Sequence, residues 1–258
     1  MRVYVGSGCR YPLVEKYGFP ERECGPWIRG CVESAERLLL STFGSTCPAR
    51  LHLHGFLTGE EGCFKVYREP MLPSGTLDVI VHGDFYFPNI LYSYADDGDG
   101  GKIPNSCKIV DLQLFSYCHP AVDLAFFAFI DVPTPLRRRI LTRLLATHYK
   151  TFCKILRDLG VDLTEDLGEY VERFVKTAET YGAMHACFAL PVLYADSEIM
   201  RDHEPGTSIL HHIEAMKAKV HQGKDHPVAH VLRDVILDIL NLRQSIDEET
   251  IRREMEKL

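Results

Sequence analysis

Residues 80–91 read IVHGDFYFPNIL, and this stretch holds three polar side chains between two apolar runs. His82 is followed two residues later by Asp84, and Asn89 comes five residues after that aspartate. Twenty-two residues past the asparagine, the run KIVDLQLF carries Asp111 at the end of another apolar segment, with Gln113 two positions further on. Such spacing requires a fold that returns the chain to the same loop.

The flanking residues predict that fold locally as a β-hairpin. TLDVIVH (76–82) is a short β-branched run, ILYSY (90–94) alternates, and CKIVDL (107–112) is a further apolar run. The polar, glycine-rich segment 95–106 between the last two is typical of a turn that closes a hairpin. Such a hairpin would bring Asp111 back beside the loop that precedes it.

The polar residues have the chemistry of phosphoryl transfer. Amide and carboxylate oxygens such as those of Asn89 and Asp111 suit Mg²⁺, which takes its other ligands from waters and substrate phosphates. A separate carboxylate, Asp84, can orient a hydroxyl and accept its proton. The order H-x-D, four residues, then N is also that of the protein-kinase catalytic loop. The alternative is that Asp and Asn stand here as ordinary turn residues near strand ends.

HGDFYFPNIL, followed by IVDLQLFSYCHPAVDLAFF, resembles the aminoglycoside phosphotransferase and choline kinase superfamily, and more closely its ecdysteroid-kinase-like (CHK-kinase-like) family. Those proteins typically carry H-G-D-x-W-x-x-N, then D-F-Q, then P-A-x-D-L. Tyr86 stands where Trp is usual, and Leu112 stands where Phe is usual, so both changes keep apolar bulk. The resemblance extends over roughly residues 28–245, while its specific motifs fall within 82–127.

The resemblance implies a role for each matching residue. Asp84 would be the catalytic base, and Asn89 and Asp111 would hold Mg²⁺ against the phosphates of ATP, the co-substrate. His82 would support the loop from behind. Gln113 would assist the metal or the substrate side.

Asp123, in the segment PAVDL, would bond the backbone of the catalytic loop and so be structural. The acceptor implied is a small molecule with a hydroxyl group, such as an ecdysteroid, choline or an aminoglycoside-like compound. A protein kinase is disfavoured, because HGD replaces H-R-D, DLQ replaces D-F-G, and no A-P-E segment follows.

Apolar periodicity predicts that the remainder is mainly helical. Together with the hairpin, this gives an α+β, protein-kinase-like fold that consists mainly of the helical C-terminal lobe. Residues 1–27 are expected to be an irregular remnant of the inter-lobe region, and 28–258 the lobe itself. The predicted segments are a helix at 28–43, loop with a short helix or strand at 44–75, a helix from 136 stopped by Gly160, a helix at 167–190 stopped by Pro191, a helix at 231–240, and a solvated helical end at 247–258.

The sequence shows no clear nucleotide-binding segment. The N-terminal lobe of the fold needs on the order of a hundred residues, and VYVGSGCR (3–10) offers G-x-G without the third glycine. We therefore expect that the N-terminal lobe is largely absent, and we expect a small-molecule kinase or a fragment of one. The alternatives are a partner that completes the ATP site, and a truncated pseudokinase that acts as a non-catalytic binding module.

Composition limits the classes of partner and the cellular compartment that we expect for this protein. A net charge of −7 without a basic block argues against nucleic acid. No apolar run reaches the length of a membrane span. The nine cysteines form no C-x-x-C pair, and MRVYVGSGCRYP lacks the apolar core of a signal peptide. We expect a cytoplasmic protein with reduced, mostly buried cysteines, and the oligomeric state stays open.

Several further side chains are weaker candidates. His52 and His54 would share one face of a strand, and His119 could reach the site from the next loop. For each of these histidines a plain structural role is the favoured interpretation. One helical stripe could line an acceptor pocket, but core packing is the favoured interpretation: Tyr181, Met184, His185, Phe188. One acidic run could form a rim for a cationic acceptor, but a solvated loop is the favoured interpretation: Asp196, Glu198, Asp202.

Overall fold

A computed structural model describes residues 21–75, 77–161, 165–193 and 227–258. Within these ranges the chain is mostly helical with two small antiparallel sheets, which confirms the α+β prediction at that level. No helix in the described ranges has the length and apolar character that crossing a membrane requires. The α-helices are α1 (Glu21–Phe43), α2 (Pro48–Thr58), α3 (Cys63–Arg68), α4 (Ala121–Phe126), α5 (Thr134–Asp158), α6 (Leu167–Thr177), α7 (Ala183–Leu193), α8 (Pro227–Leu240), α9 (Leu242–Ser245) and α10 (Glu248–Lys257).

The strands form two antiparallel pairs. β1 (Val79–Val81) pairs with β4 (Ser116–Cys118), and β2 (Ile90–Asp96) pairs with β3 (Lys102–Ile109). The second pair is the predicted hairpin. Its turn is shorter than predicted because the Asp97 carboxylate accepts backbone bonds from the turn residues 99 and 101 and closes the chain early.

The core lies where α4 meets the long helical run behind it. α4 packs on α6 and on the π-helical turn Ala178–Gly182, and α1 packs on α2 and α7. Phe129, Phe174 and Leu190 are among the fully buried side chains at the centre. The sheets sit at the edge of this helical body, so the loops between their strands stay at the surface.

Two boundary predictions are wrong. α1 begins at Glu21 within the described residues, seven positions before the predicted start, so residues 21–27 are helical and not irregular. Residues 44–75 form α2, α3 and a short 3₁₀ turn, which is more helix than the expected loop with one short helix or strand. Buried Leu53 and Phe64 explain this second error, because tertiary packing stabilises helices too short for a clear period.

The predicted helix at 167–190 is one continuous helical run, α6 and α7, joined by the π-helical turn Ala178–Gly182. Pro191 does not stop it, since α7 continues to Leu193. A proline this close to a helix C-terminus removes one backbone bond, and the helix extends only two residues beyond it.

The C-terminal segment is not a purely solvated end. Asp247 caps α10 by accepting a bond from the Thr250 amide at 2.6 Å. The helix packs on α5 and buries Ile251 completely, while its charged side chains remain outside.

Candidate active site

The loop that follows β1 is fastened at its beginning by Asp123. One carboxylate oxygen accepts the His82 amide at 2.7 Å, and the other accepts the Gly83 amide at 2.9 Å. Burial raises the pKa of Asp123, and these two backbone bonds act in the opposite direction because they favour the charged form. The prediction that Asp123 bonds the loop backbone is confirmed.

The buried His82 ring joins the two halves of the site. Its Nδ1 accepts the Asp84 amide at 3.2 Å, so Nε2 carries the proton and donates to the Val110 carbonyl at 2.8 Å. Val110 directly precedes Asp111. One imidazole therefore holds the backbone of both carboxylate-bearing segments.

Asn89 closes the loop from its other end. Its Nδ2 donates to the Asp84 carbonyl at 2.9 Å and to the Asp84 carboxylate at 3.2 Å. The Asn89 carbonyl then accepts the Val110 amide at 3.0 Å, where the hairpin begins. Because the amide nitrogen makes both side-chain bonds, the Asn89 Oδ1 oxygen is left with its acceptor capacity for a ligand such as a cation.

Asp84 is half-buried among these contacts. Burial raises its pKa, the Asn89 bond and the nearby His82 lower it, and the charge of Asp111 raises it again. A carboxylate with a raised pKa is a better proton acceptor than an ordinary surface aspartate at the same pH, provided that it remains ionised.

Asp111 lies exposed just past β3, in a left-handed conformation with φ 62° and ψ 60°. Among the described residues, it is the one non-glycine residue with positive φ. Aspartate tolerates this region better than most residues, yet the conformation still costs on the order of 1 kcal/mol. Gln113 Nε2 lies 3.4 Å from the Asp111 carboxylate, a weak contact that keeps the two side chains together.

Asp131 is a site residue that sequence reasoning missed. It ends the π-helical turn Phe127–Asp131 after α4, and its carboxylate accepts the Phe87 amide at 2.5 Å. Burial raises the pKa of Asp131 to about 6; the Phe87 bond opposes the rise and the charge of Asp84 adds to it. The available signal was a lone carboxylate at the end of the apolar run LAFFAFID.

These residues all lie within 24–161, the stretch that matches the ecdysteroid kinase-like family and that makes up more than half of the chain. The chain belongs to the ecdysteroid kinase-like family. The family resemblance inferred from the motifs is thereby confirmed. No curated protein and no solved structure gave a significant match.

Membership in the ecdysteroid kinase-like family implies a kinase-like fold and points to small-molecule phosphotransferase chemistry. The structure brings His82, Asp84 and Asn89 into one hydrogen-bonded loop and sets Asp111 beside it. Their catalytic and metal-binding roles remain predictions, and so does that of Gln113.

The weaker histidine candidates have partners outside the loop in this ecdysteroid kinase-like protein. His119 is buried, and its Nε2 lies 3.1 Å from the Glu165 carboxylate. His52 is on helix α2, not on a strand, and its Nε2 lies 2.9 Å from the Glu179 carbonyl. Across the described ranges, no group of three or more His, Cys, Asp or Glu side chains is arranged to hold a metal.

The remaining candidates divide between core and undescribed chain. Tyr181, Met184 and His185 are buried, as expected for a core stripe. Burial lowers the pKa of His185 to about 3, so the imidazole is neutral at physiological pH. The acidic run at 196–202 lies outside the described residues.

Gly83 cannot be replaced without moving the loop. It has φ +80°, and a Cβ there would lie 2.1 Å from the Leu114 carbonyl oxygen. We expect Gly83→Ala to lower the free energy of unfolding by roughly 2–3 kcal/mol, because backbone strain and a backbone clash act together. Urea denaturation followed by circular dichroism measures this loss.

Gly160→Ala is the matched control for that experiment. Gly160 follows the end of α5 with a similar φ of +70°, but nothing lies within 4 Å of its added Cβ. Gly160→Ala should therefore lower the free energy of unfolding by about 1 kcal/mol, from the backbone conformation alone. Equal losses in the two variants would mean that the loop accommodates a side chain at position 83.

Proposed function

We propose that this ecdysteroid kinase-like protein is a phosphotransferase that uses ATP and Mg²⁺ to phosphorylate a hydroxyl group of a small molecule. The observation that carries the proposal is the pair of hydrogen bonds made by the His82 ring, which joins the Asp84 segment to the Asp111 segment. Kinase chemistry needs one carboxylate for the hydroxyl and another for the metal at neighbouring positions. A pair of turn aspartates would not need a common buried imidazole.

Asp84 is the group that handles the acceptor hydroxyl. In the proposed step the hydroxyl oxygen forms a bond to the γ-phosphorus, while the bond from that phosphorus to the β–γ bridging oxygen breaks. The hydroxyl proton passes to the Asp84 carboxylate, and ADP leaves with the bridging oxygen. The burial that raises the pKa of Asp84 favours this proton transfer.

The donor set fits magnesium. The Asn89 amide nitrogen donates to Asp84, so the Asn89 side-chain oxygen can serve as a ligand. Asp111 is an exposed carboxylate just after β3, the strand that pairs with the one following Asn89. Two hard oxygen ligands suit an ion that keeps waters and phosphate oxygens for the rest of its shell. Bound there, magnesium would neutralise phosphate charge during transfer. Gln113, which contacts the Asp111 carboxylate, orients that ligand.

We assign the described helical body to the C-terminal lobe of the kinase-like fold. The sequence placed the start of this lobe at residue 28. We place it no later than Glu21, where α1 begins in the described chain. Around Asp111 the large apolar side chains are exposed, with Leu112 at 57% and Phe115 at 51%. A nucleotide-covering element can pack on this surface and complete the ATP site.

The acceptor side is aromatic. Half-buried Tyr86 stands two residues after Asp84 in the sequence. Its ring packs against that of Phe126, with ring centroids 5.7 Å apart. Phe126 in turn lies 4.1 Å from the His185 ring, which is neutral. An aromatic wall behind the proposed base suits an alcohol on an apolar skeleton, such as a steroid, better than a highly charged acceptor.

Calorimetric titration with Mg·ATP tests the proposal. Wild-type protein should bind, and Asp111→Asn should bind roughly 10- to 100-fold more weakly, because a charged ligand contributes about 1.5–3 kcal/mol. Asp99→Asn, which removes the same charge at the exposed hairpin tip, should bind as wild type.

Two results would count against it. Unchanged affinity in Asp111→Asn would remove Asp111 from the metal site. Absence of wild-type binding at millimolar Mg·ATP would mean that this chain does not hold the nucleotide alone, and would favour a non-catalytic binding module.

A further inference from the structure

Asp131 and Asp123 come from one continuous helical segment, α4 and the π-helical turn that follows it. Asp123 accepts the amides of His82 and Gly83 at the start of the catalytic loop. Asp131 accepts the Phe87 amide near its end. The same segment therefore fastens the loop at two points, on either side of Asp84.

The Phe87 amide is a group that needs an external acceptor. Phe87 opens the 3₁₀ turn Phe87–Asn89, and the first amides of such a turn have no partner within it. The second residue of the turn is Pro88, which has no amide hydrogen. The bond from Phe87 to Asp131 thus fixes the entry of the turn whose last residue is Asn89.

Asp131 is itself held firmly in place. It is the last residue of a π-helical turn, and such a turn leaves carbonyl groups without regular helical partners. The buried Arg137 guanidinium donates to the carbonyl of Ala128 within the turn at 3.4 Å, and to that of Val132 directly after the turn at 2.9 Å. The carboxylate is therefore presented from a braced backbone and not from a free loop.

We propose that Asp131 is a positioning residue for Asn89, which fixes the 3₁₀ turn so that the Asn89 amide nitrogen stays on Asp84 and its oxygen stays available as a ligand. This proposal rests on the proposed function for its catalytic consequence, but its structural content stands apart from it. Asp131 bonds backbone and not the groups assigned to the hydroxyl or the metal, so its positioning effect passes through the turn that ends at Asn89.

Hydrogen–deuterium exchange of the full chain, followed by mass spectrometry, tests the structural content. In Asp131→Ala the amides of Phe87 and Asn89 should exchange about tenfold faster or more, because the turn loses the charge-assisted bond at its entry. Asp131→Asn keeps an acceptor oxygen and should restore most of the protection. The matched control is Asp166→Ala, which removes the carboxylate that caps α6 at Glu169 and should speed exchange there without changing the loop.

Kinetics tests the catalytic consequence. If the protein phosphorylates a small alcohol, Asp131→Ala should raise the KM for Mg·ATP and lower kcat by roughly tenfold each, with rescue by Asp131→Asn. If Asp131→Ala does not fold, Asp131→Ser, whose side chain is too short for the bond, takes its place.

The two readouts separate the two ideas. Faster loop exchange in a protein without kinase activity would support the positioning role and reject the proposed function. Unchanged exchange at residues 87–89 in both the Ala and the Ser variant would overturn the positioning role, whatever the activity.

Discussion

Asp84→Asn is expected to lower the rate of phosphoryl transfer by about 10²- to 10⁴-fold, the usual contribution of a positioned general base. The asparagine keeps the size of the side chain and can still contact Asn89, but it cannot accept a proton from the acceptor hydroxyl. Binding of Mg·ATP should stay near the wild-type value, because Asn89 and Asp111 are the proposed ligands. The loss should therefore fall on kcat.

The pH profile gives this prediction a second test. Burial raises the pKa of Asp84, and the carboxylate acts as a base only when ionised. Wild-type kcat should therefore fall as the pH decreases through that raised pKa, and this acid limb should be absent from the residual activity of Asp84→Asn. Asp158→Asn, an exposed carboxylate at the end of α5, is the charge-matched control and should behave as wild type. Equal kcat in wild type and Asp84→Asn would remove Asp84 from the proposed role.

The β part of the site could be predicted from sequence because its signals are local. Alternation marked β2 from Ile90, and a glycine-rich stretch marked the turn before β3. A hairpin of this kind leaves few places for Asp111 other than beside the loop that carries Asp84. The offsets of the polar residues then predicted their proximity without any knowledge of tertiary structure.

The supports of the site could not be predicted in the same way, because they depend on contacts between distant residues. Asp131 is 44 positions from Phe87, and nothing in LAFFAFID indicates that a π-helical turn will direct its carboxylate to that amide. The helices at 48–68 were missed for a related reason. They are short, and burial against α1 stabilises them more than any periodic pattern does.

Arg137 is the clearest case of a role that sequence conceals. It is the first of three consecutive arginines in TPLRRRIL, and nothing local distinguishes it from the exposed Arg138 and Arg139. The structure buries Arg137 to 2% exposure and leaves the other two in solvent. Its guanidinium also lies 5.1 Å from the centre of the Phe129 ring. It donates to the Asp238 carboxylate, the Thr134 hydroxyl and the carbonyls of Ala128 and Val132.

Arg137→Ala is expected to lower the free energy of unfolding by about 3–5 kcal/mol, since it leaves without their partner the partly buried Asp238 carboxylate and the carbonyls of Ala128 and Val132, within and directly after the turn that ends at Asp131. The midpoint of thermal unfolding should fall by on the order of 10 °C. Arg138→Ala is the matched control: it pairs with the same Asp238 at 2.7 Å but is 60% exposed, so it should cost less than about 1 kcal/mol. Similar losses in the two variants, measured by urea denaturation, would mean that the buried network does not brace the turn. A large loss for Arg137→Ala alone would tie the stability of the helical body to the segment that fastens the loop carrying Asp84.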